Sequence, residues 1–137
     1  MGETPFSLEF KVRDYECDMQ GIVNNANYQH YMEHARHEYL HHIGLDFAKL
    51  TEEGIILVVM RIEIDYHFPL RSGDVFYVDC VAERLSPLRF AFVQNIFRLP
   101  DRKPVISARV TGTSINRNGR PFLPEIIDKS FGPIKQQ

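Results

Sequence analysis

Residues 27–44 read NYQHYMEHARHEYLHHIG, and the spacing of their apolar side chains decides the fold. Tyr28, Tyr31, Met32, Ala35, Tyr39 and Ile43 recur at offsets near three and four, the period of a helix that buries one stripe. Gly44 follows as a C-cap residue, so the spacing predicts a helix over 27–43 of roughly four to five turns. On either side the period drops to two. Phe6, Leu8, Phe10 and Val12 alternate with Ser7, Glu9, Lys11 and Arg13, and the same alternation returns over 58–68, 75–85, 90–99 and 105–115. Turn residues punctuate these runs: Pro69 with Ser72-Gly73-Asp74, Ser86-Pro87, Pro100-Asp101 and Asn118-Gly119. Consecutive strands are therefore expected to be mostly antiparallel neighbours. The class is α+β, an antiparallel sheet of about five strands whose concave face takes the aromatic stripe of one long early helix.

A chain of 137 residues, 44% hydrophobic and 12% aromatic, can bury one core but hardly two, so residues 1–137 are read as a single domain. No repeat, low-complexity tract or linker interrupts it, and only the tail beyond about Pro124 reads as loosely held. A formal charge of −2 without a basic run argues against nucleic acid as a partner. The longest apolar run, IILVVM at 55–60, is far too short to span a bilayer. MGETPFSLEF lacks a charged segment followed by an apolar one, and Phe6 stands where a myristoylation signal needs Ser or Thr; the mature chain is expected to start near Met1. Cys17 and Cys80 are too few for a disulfide framework, which points to a reducing, cytoplasmic setting.

Within the helix, His37-Glu38-Tyr39-Leu40-His41 fits H-E-x-x-H, the spacing that sets two imidazoles around zinc with a glutamate as base. Helical phase argues against it. At ~100° per residue His30, His34, His37 and His41 fall on one stripe about 150° from the apolar arc, and no later helix is legible to supply a third ligand. The stripe is expected to face solvent or a second subunit, with no metal site, although i,i+4 histidines could bind metal adventitiously. His42 lies nearer the apolar flank and is expected to be partly buried. Glu33 and Arg36, spaced i,i+3, are expected to form a salt bridge on the helix surface or at an interface.

The segment DMQGIVNNANYQHYMEHAR, residues 18–36, spans the loop after the first strand and the start of the helix. Asp18, Gly21, Ile22, Val23, Tyr28, Tyr31, Glu33 and Arg36 fit D-x-x-G-[IV]-V-x-x-x-x-Y-x-x-[YF]-x-E-x-x-R, a pattern that resembles the hotdog-fold acyl-CoA thioesterases of the 4-hydroxybenzoyl-CoA thioesterase type. The resemblance continues through Arg61, Ile64, Tyr66, Pro69, Gly73 and Asp74 and ends near Asn118-Gly119-Arg120-Pro121, covering nearly the whole chain. It implies the hotdog fold, in which the sheet wraps the helix. One departure stands out: relatives often carry Tyr-His where this chain has Asn24-Asn25. The segment also leans toward the D-x-N-x-H-V-N-N of plant-type acyl-ACP thioesterases, with Gln20 and Ile22 in place of that motif's Asn and His. The carrier, CoA or acyl carrier protein, stays open.

Thioester hydrolysis needs a nucleophile or a base for water, and donors for the oxygen that gains charge as the carbonyl becomes tetrahedral. The free N–H groups at a helix start are such donors. By resemblance, Asp18 attacks the thioester or activates water, and the backbone N–H near Asn25 polarises the carbonyl. The Asn25 carboxamide cannot shuttle protons but can orient Asp18, water or the acyl group. Gly21 permits a tight turn, Ile22 and Val23 pack under the helix start, and Tyr28 completes the substrate-binding motif. Arg120 is the candidate for the CoA phosphates, with Arg61 and Arg89 behind it. The bland account of Asp18 is a loop cap, and a thiol role for Cys17 lacks an ordered base. The resemblance further implies no cofactor, an acyl-CoA substrate or an acyl carrier protein, and a homodimer or homotetramer that shares its active sites. A non-catalytic acyl-CoA or acyl-ACP binding protein is the reading from another class.

Overall fold

The computed structural model describes residues 6–134. The first five residues of MGETPFSLEF, read above for a leader, lie outside the described residues, as do 135–137. Strand β1 (Phe6–Lys11) and one turn of 3-10 helix (Asp14–Glu16) precede α1 (Asn25–His42), followed by α2 (Phe47–Glu52), β2 (Ile56–Tyr66), β3 (Val75–Ser86), β4 (Arg89–Leu99), β5 (Lys103–Ile115) and α3 (Glu125–Phe131). The strands form one antiparallel sheet in the order β1-β3-β4-β5-β2. Sequence neighbours pair from β3 to β5, as expected. The expectation fails for β2, which crosses to the far edge beside β5; alternation reports which face of a strand is buried and carries nothing about strand order.

Helix α1 starts two residues earlier than the predicted 27, because Asn24 caps it: the Asn24 Oδ1 accepts the Ala26 N–H at 2.9 Å. It ends at Gly44, whose φ of +90° suits a residue without Cβ, while the Leu45 N–H returns to the Leu40 carbonyl at 2.7 Å. Tyr28, Tyr31, Met32 and Ala35 pack on Phe76, Val78 and Ile96 in one half of the core. Tyr39 and Leu40 meet Phe90, Phe92 and Val110 in the other. The predicted stripe is buried, Ile43 only in part, and Arg36 and Leu40 join it.

The tail is not loose. Residues 125–131 form α3, which buries Ile127 and Phe131; the Phe131 ring stands edge-on to Phe90 and Phe92 at 5.0 and 5.8 Å. Arg84 on β3 pairs with Asp128 and fixes this helix across the sheet. Helix α2 was equally invisible as a period, being six residues long, but Asp46 caps it by accepting from the Ala48 and Lys49 N–H groups.

Strand β2 is an edge, and its outer residues Val59, Met60, Ile62 and Tyr66 are large, apolar and exposed. Its register shifts between Val59 and Arg61, opposite Gly112 of β5. A Cβ on Gly112 would stand 2.7 Å from the Val58 carbonyl oxygen and 3.0 Å from the Phe90 ring, so only glycine lets the strands approach this closely. Gly112→Ala is expected to cost about 1–3 kcal/mol, read as a lowered denaturation midpoint. An unchanged midpoint would mean that β2 moves aside at no cost.

Candidate active site

The loop after β1 is built around Glu16. Its carboxylate accepts the Arg13 N–H at 2.8 Å and the Arg13 guanidinium at 3.0 Å. Burial alone would raise its pKa; the Arg13 bonds outweigh burial and hold the group below the ordinary carboxylate value. The Glu16 carbonyl in turn accepts the Asn24 N–H at 3.1 Å and the Asn27 side-chain amide at 2.8 Å, which ties the loop to the helix start.

Between these anchors residues 17–23 form a tight hairpin. Cys17 bridges Val23, the Asp18 N–H donates to the Ile22 carbonyl at 2.8 Å, and the Gly21 N–H donates to the Asp18 carbonyl at 3.0 Å. Gly21 turns the chain with φ +80°, the left-handed region where glycine is at ease. Asp18 is exposed at the tip, its Oδ1 accepting the Gln20 N–H at 2.8 Å. The hairpin is docked by Val23, 2% exposed, whose N–H reaches the Leu70 carbonyl at 2.9 Å, and by the bridge from half-buried Ile22 to Arg71. Two residues beyond Val23 the helix begins. Its Ala26 N–H is taken by Asn24 Oδ1 and its Asn27 N–H by the Asn24 carbonyl; within the described residues the Asn25 N–H has no acceptor. A carboxylate on the hairpin and a free donor at the helix start thus follow one another along a short, hydrogen-bonded stretch of chain.

Other candidates are placed differently from expectation. Tyr28 is buried, and its hydroxyl oxygen accepts the Leu70 N–H at 2.9 Å, so it braces the loop before β3 instead of facing a ligand. The Asn25 side chain is exposed and makes no hydrogen bond to Asp18 among the described residues. Burial, and next the charge of Asp14, raise the Cys17 pKa and keep that thiol protonated. His30, His34 and His41 are exposed, as their phase required, whereas His37 is half-buried against the Phe47 ring at 4.7 Å. His42 is exposed beside Phe6, not partly buried. No group of three metal-ligating side chains occurs among the described residues. Arg36 departs most: it forms no ion pair with Glu33 but is buried, its Nη1 donating to Gln94 Oε1 at 3.1 Å, while Gln94 Nε2 donates to the Met32 carbonyl at 2.9 Å.

Beside α1 runs a groove. A cavity of about 420 Å³ extends from Ala26 to Arg36 with Val59, Ile62 and Val110 opposite. A second, of about 110 Å³, continues from Arg36 past Leu40 to an apolar end at Phe47, Phe90 and Gly112. The groove's Ala26 end lies one residue along the chain from Asn25.

The three arginines do not converge on it. Arg61 and Arg89 share a surface depression with Arg109, and Arg61 pairs with Glu63 at 3.4 Å. Arg89 follows β3, about 35 Å of strand away from the Val75 end where Asp18 sits. Arg120 lies in the turn after Ile115, and Ile115 pairs with Ile56, whereas the Asp18 hairpin adjoins the Tyr66 end of β2, about 30 Å off. Within one subunit the final strand's end, with the candidate Arg120, therefore does not adjoin the Asp18 loop; strand direction, not motif spacing, decides it.

An antiparallel sheet wrapped on one long helix is the hotdog architecture. The chain belongs to the thioesterase-like superfamily, whose family pattern matches residues 12–131. Among relatives, the chloroplastic acyl-acyl carrier protein thioesterase ATL2 of Arabidopsis thaliana is 37% identical over 131 residues, covering 95% of this chain and 70% of the relative. The long-chain acyl-CoA thioesterase FadM of Escherichia coli is 30% identical over 108 residues, covering 79% of this chain and 81% of the relative. A hypothetical protein of Aquifex aeolicus superposes with a TM-score of 0.86 at 31% identity, over 93% of this chain and all of that one, 100%. No helix among the described residues is long and apolar enough to cross a membrane.

Since the histidine stripe lies off the hairpin, thioesterase activity is expected to survive chelation, and His37→Ala with His41→Ala together is expected to leave turnover largely intact. Stoichiometric zinc in protein purified without a metal-affinity tag, lost together with activity on chelation, would overturn this.

Proposed function

We propose that the protein hydrolyses acyl-CoA thioesters in the cytoplasm, with Asp18 as nucleophile or general base and the Asn25 backbone N–H as the donor that polarises the thioester carbonyl. The observation that carries this is the Asp18 carboxylate on a hairpin that runs, two residues on, into the acceptor-free Asn25 N–H at the start of α1, whose next residue, Ala26, lines an apolar-ended groove. Attack on the carbonyl carbon, by the carboxylate or by water that it deprotonates, moves charge onto the carbonyl oxygen, where the N–H and the positive end of the α1 dipole meet it. Collapse of the tetrahedral species expels the CoA thiolate and leaves the free acid where water attacked, or an acyl–Asp18 anhydride that water then cleaves to the acid and the regenerated carboxylate. Exposed beside the donor, the Asn25 carboxamide serves to orient water or the acyl oxygen. The name of the Escherichia coli relative supports CoA as carrier. The 37% identity to the chloroplastic relative favours a second reading, hydrolysis of acyl-ACP; thiol release from matched CoA and carrier-protein thioesters separates the two.

Removing the carboxylate removes the one carboxylate on the hairpin, where the Cys17 thiol stays protonated. Asp18→Asn is expected to lower kcat by about a hundredfold or more with the melting temperature preserved. Near-native turnover in that variant would sink the mechanism.

The distant arginines fit this reading only in an assembly. Two copies joined antiparallel along β2 about a twofold axis would reverse its direction, bringing the Ile56 end of one subunit to the Tyr66 end of the other. The partner subunit's Arg120 would then stand beside Asp18 and bind the CoA phosphates, and the apolar β2 edge would be covered. We propose a homodimer of this kind, with pairing of dimers into a tetramer left to the outer faces, where Arg61 and Arg89 lie. Arg120→Ala is expected to raise KM for acyl-CoA, with kcat little changed, and to leave short pantetheine thioesters unaffected. Mixed dimers of the Asp18→Asn and Arg120→Ala chains are expected to regain low-KM turnover, because one of their two sites is whole. A fully active monomer, or equal loss with CoA and pantetheine substrates, would contradict the shared site.

A further inference from the structure

Arg36 is 9% exposed, on the wall of the groove where its two cavities meet, and no carboxylate of the described residues pairs with it. Its one hydrogen-bond partner, Gln94, is neutral and itself fully buried. A guanidinium carries five N–H donors, of which Gln94 engages one nitrogen. The rest are not sealed in protein: the only buried side-chain polar atoms lacking partners among the described residues are Tyr31 Oη and Arg84 Nε. The remaining donors therefore open onto the groove. Around them the wall is Leu40, Val59, Phe92 and Val110. Of the neighbouring ionisable groups, Glu33 is exposed at the mouth, and burial lowers the His37 pKa, so that ring is neutral at pH 7.

A buried cation without a counter-ion is costly, and a methionine or leucine would fill this position without that cost. The charge becomes favourable once an anion enters the groove and meets it with charge-assisted, bidentate hydrogen bonds. Its position sets where that anion must be carried. Gln94 ties the guanidinium to the level of the Met32 carbonyl, seven residues beyond Asn25, or roughly 10 Å along the helix. That is the span of about eight or nine bonds of extended chain.

We infer that Arg36 binds a carboxylate at the far end of the acyl group, so that the groove selects CoA monothioesters of medium-length dicarboxylic acids over plain acyl chains of equal length. The inference rests on the thioesterase reading for its substrate, and its test separates the two. Decanoyl-CoA and the CoA monothioester of decanedioic acid are compared by kcat/KM, and free decanoate and decanedioate by calorimetric binding. Wild-type protein is expected to favour the dicarboxylic member by about tenfold or more in both measurements. Arg36→Met is expected to abolish that ratio. Gln94→Glu keeps the arginine but answers its charge from inside the protein, and is expected to abolish the ratio too, which decides the matter if Arg36→Met does not fold. Hydrolysis of neither thioester would refute the thioesterase reading, while a preserved binding ratio would still support the anion site. Equal use and equal binding of the two chain types by wild-type protein would overturn the inference.

Discussion

Two phenol oxygens register α1 on the sheet. Tyr28 and Tyr39 are eleven residues apart, about three turns, and so share one face of the helix. Each hydroxyl oxygen accepts a backbone N–H from the sheet side, Tyr28 from Leu70 at 2.9 Å and Tyr39 from Ala82 at 3.1 Å. The acceptors are matched to real vacancies. Ala82 lies beyond the Phe6 and Cys80 pair, the last described pairing of β1 with β3, so no described strand takes its N–H. Burial raises the pKa of both phenols and keeps them neutral. Leu70, fully buried, carries a second duty: its carbonyl accepts the Val23 N–H, so the residue that docks the helix also docks the hairpin bearing Asp18. The place of the candidate site follows from how the helix is seated.

This arrangement was largely legible because its periods are long. An 18-residue helix with an aromatic stripe and four later alternating runs of ten or so residues leave little ambiguity. Three features escaped for distinct physical reasons. Helices α2 and α3, of six and seven residues, are too short to show a period, and α3 is held by tertiary contacts of Phe131 and Asp128. The place of β2 beside β5 depends on a crossover that local alternation does not record. The end of the molecule on which Arg89 and Arg120 fall depends on strand direction, which motif spacing cannot supply. For Asp18, Gly21 and Val23 the chain is so tightly closed, by bonds and bridges between residues three to six apart, that sequence proximity is a fair proxy for proximity in space.

Arg36 and Gln94 are a different kind of miss. Arg36 is one turn beyond Met32 on α1, and its sequence spacing suggests a surface partner for Glu33, since a charged side chain next to an opposite charge is usually solvated. Gln94 held the missing signal. In the run Phe90, Phe92, Gln94, Ile96 every second residue faces the core, and a carboxamide in that series is a buried polar group in need of partners. Its partners are on α1, some sixty residues away in sequence, and they turn the arginine inward. Pairing two polar side chains across the helix and sheet layers keeps the hydrogen bonds satisfied but leaves the charge unanswered, which is why this point of the groove differs from the apolar wall around it.

The hairpin itself is exposed, and that bears on how it could act. A backbone N–H stabilises a developing oxyanion well only where water is excluded and the local dielectric is low. On a single subunit neither condition holds at Asp18, which stands at the tip of the hairpin beside Met19, a residue in full contact with solvent. The same subunit carries a second unsatisfied feature, the exposed apolar edge of β2, at the side of the groove that opens beside Ala26. Both needs point to the same remedy. A cover laid along β2 would pair the edge, wall the groove and shut water from the helix start in one step, so the edge strand and the open hairpin are two aspects of one incomplete surface.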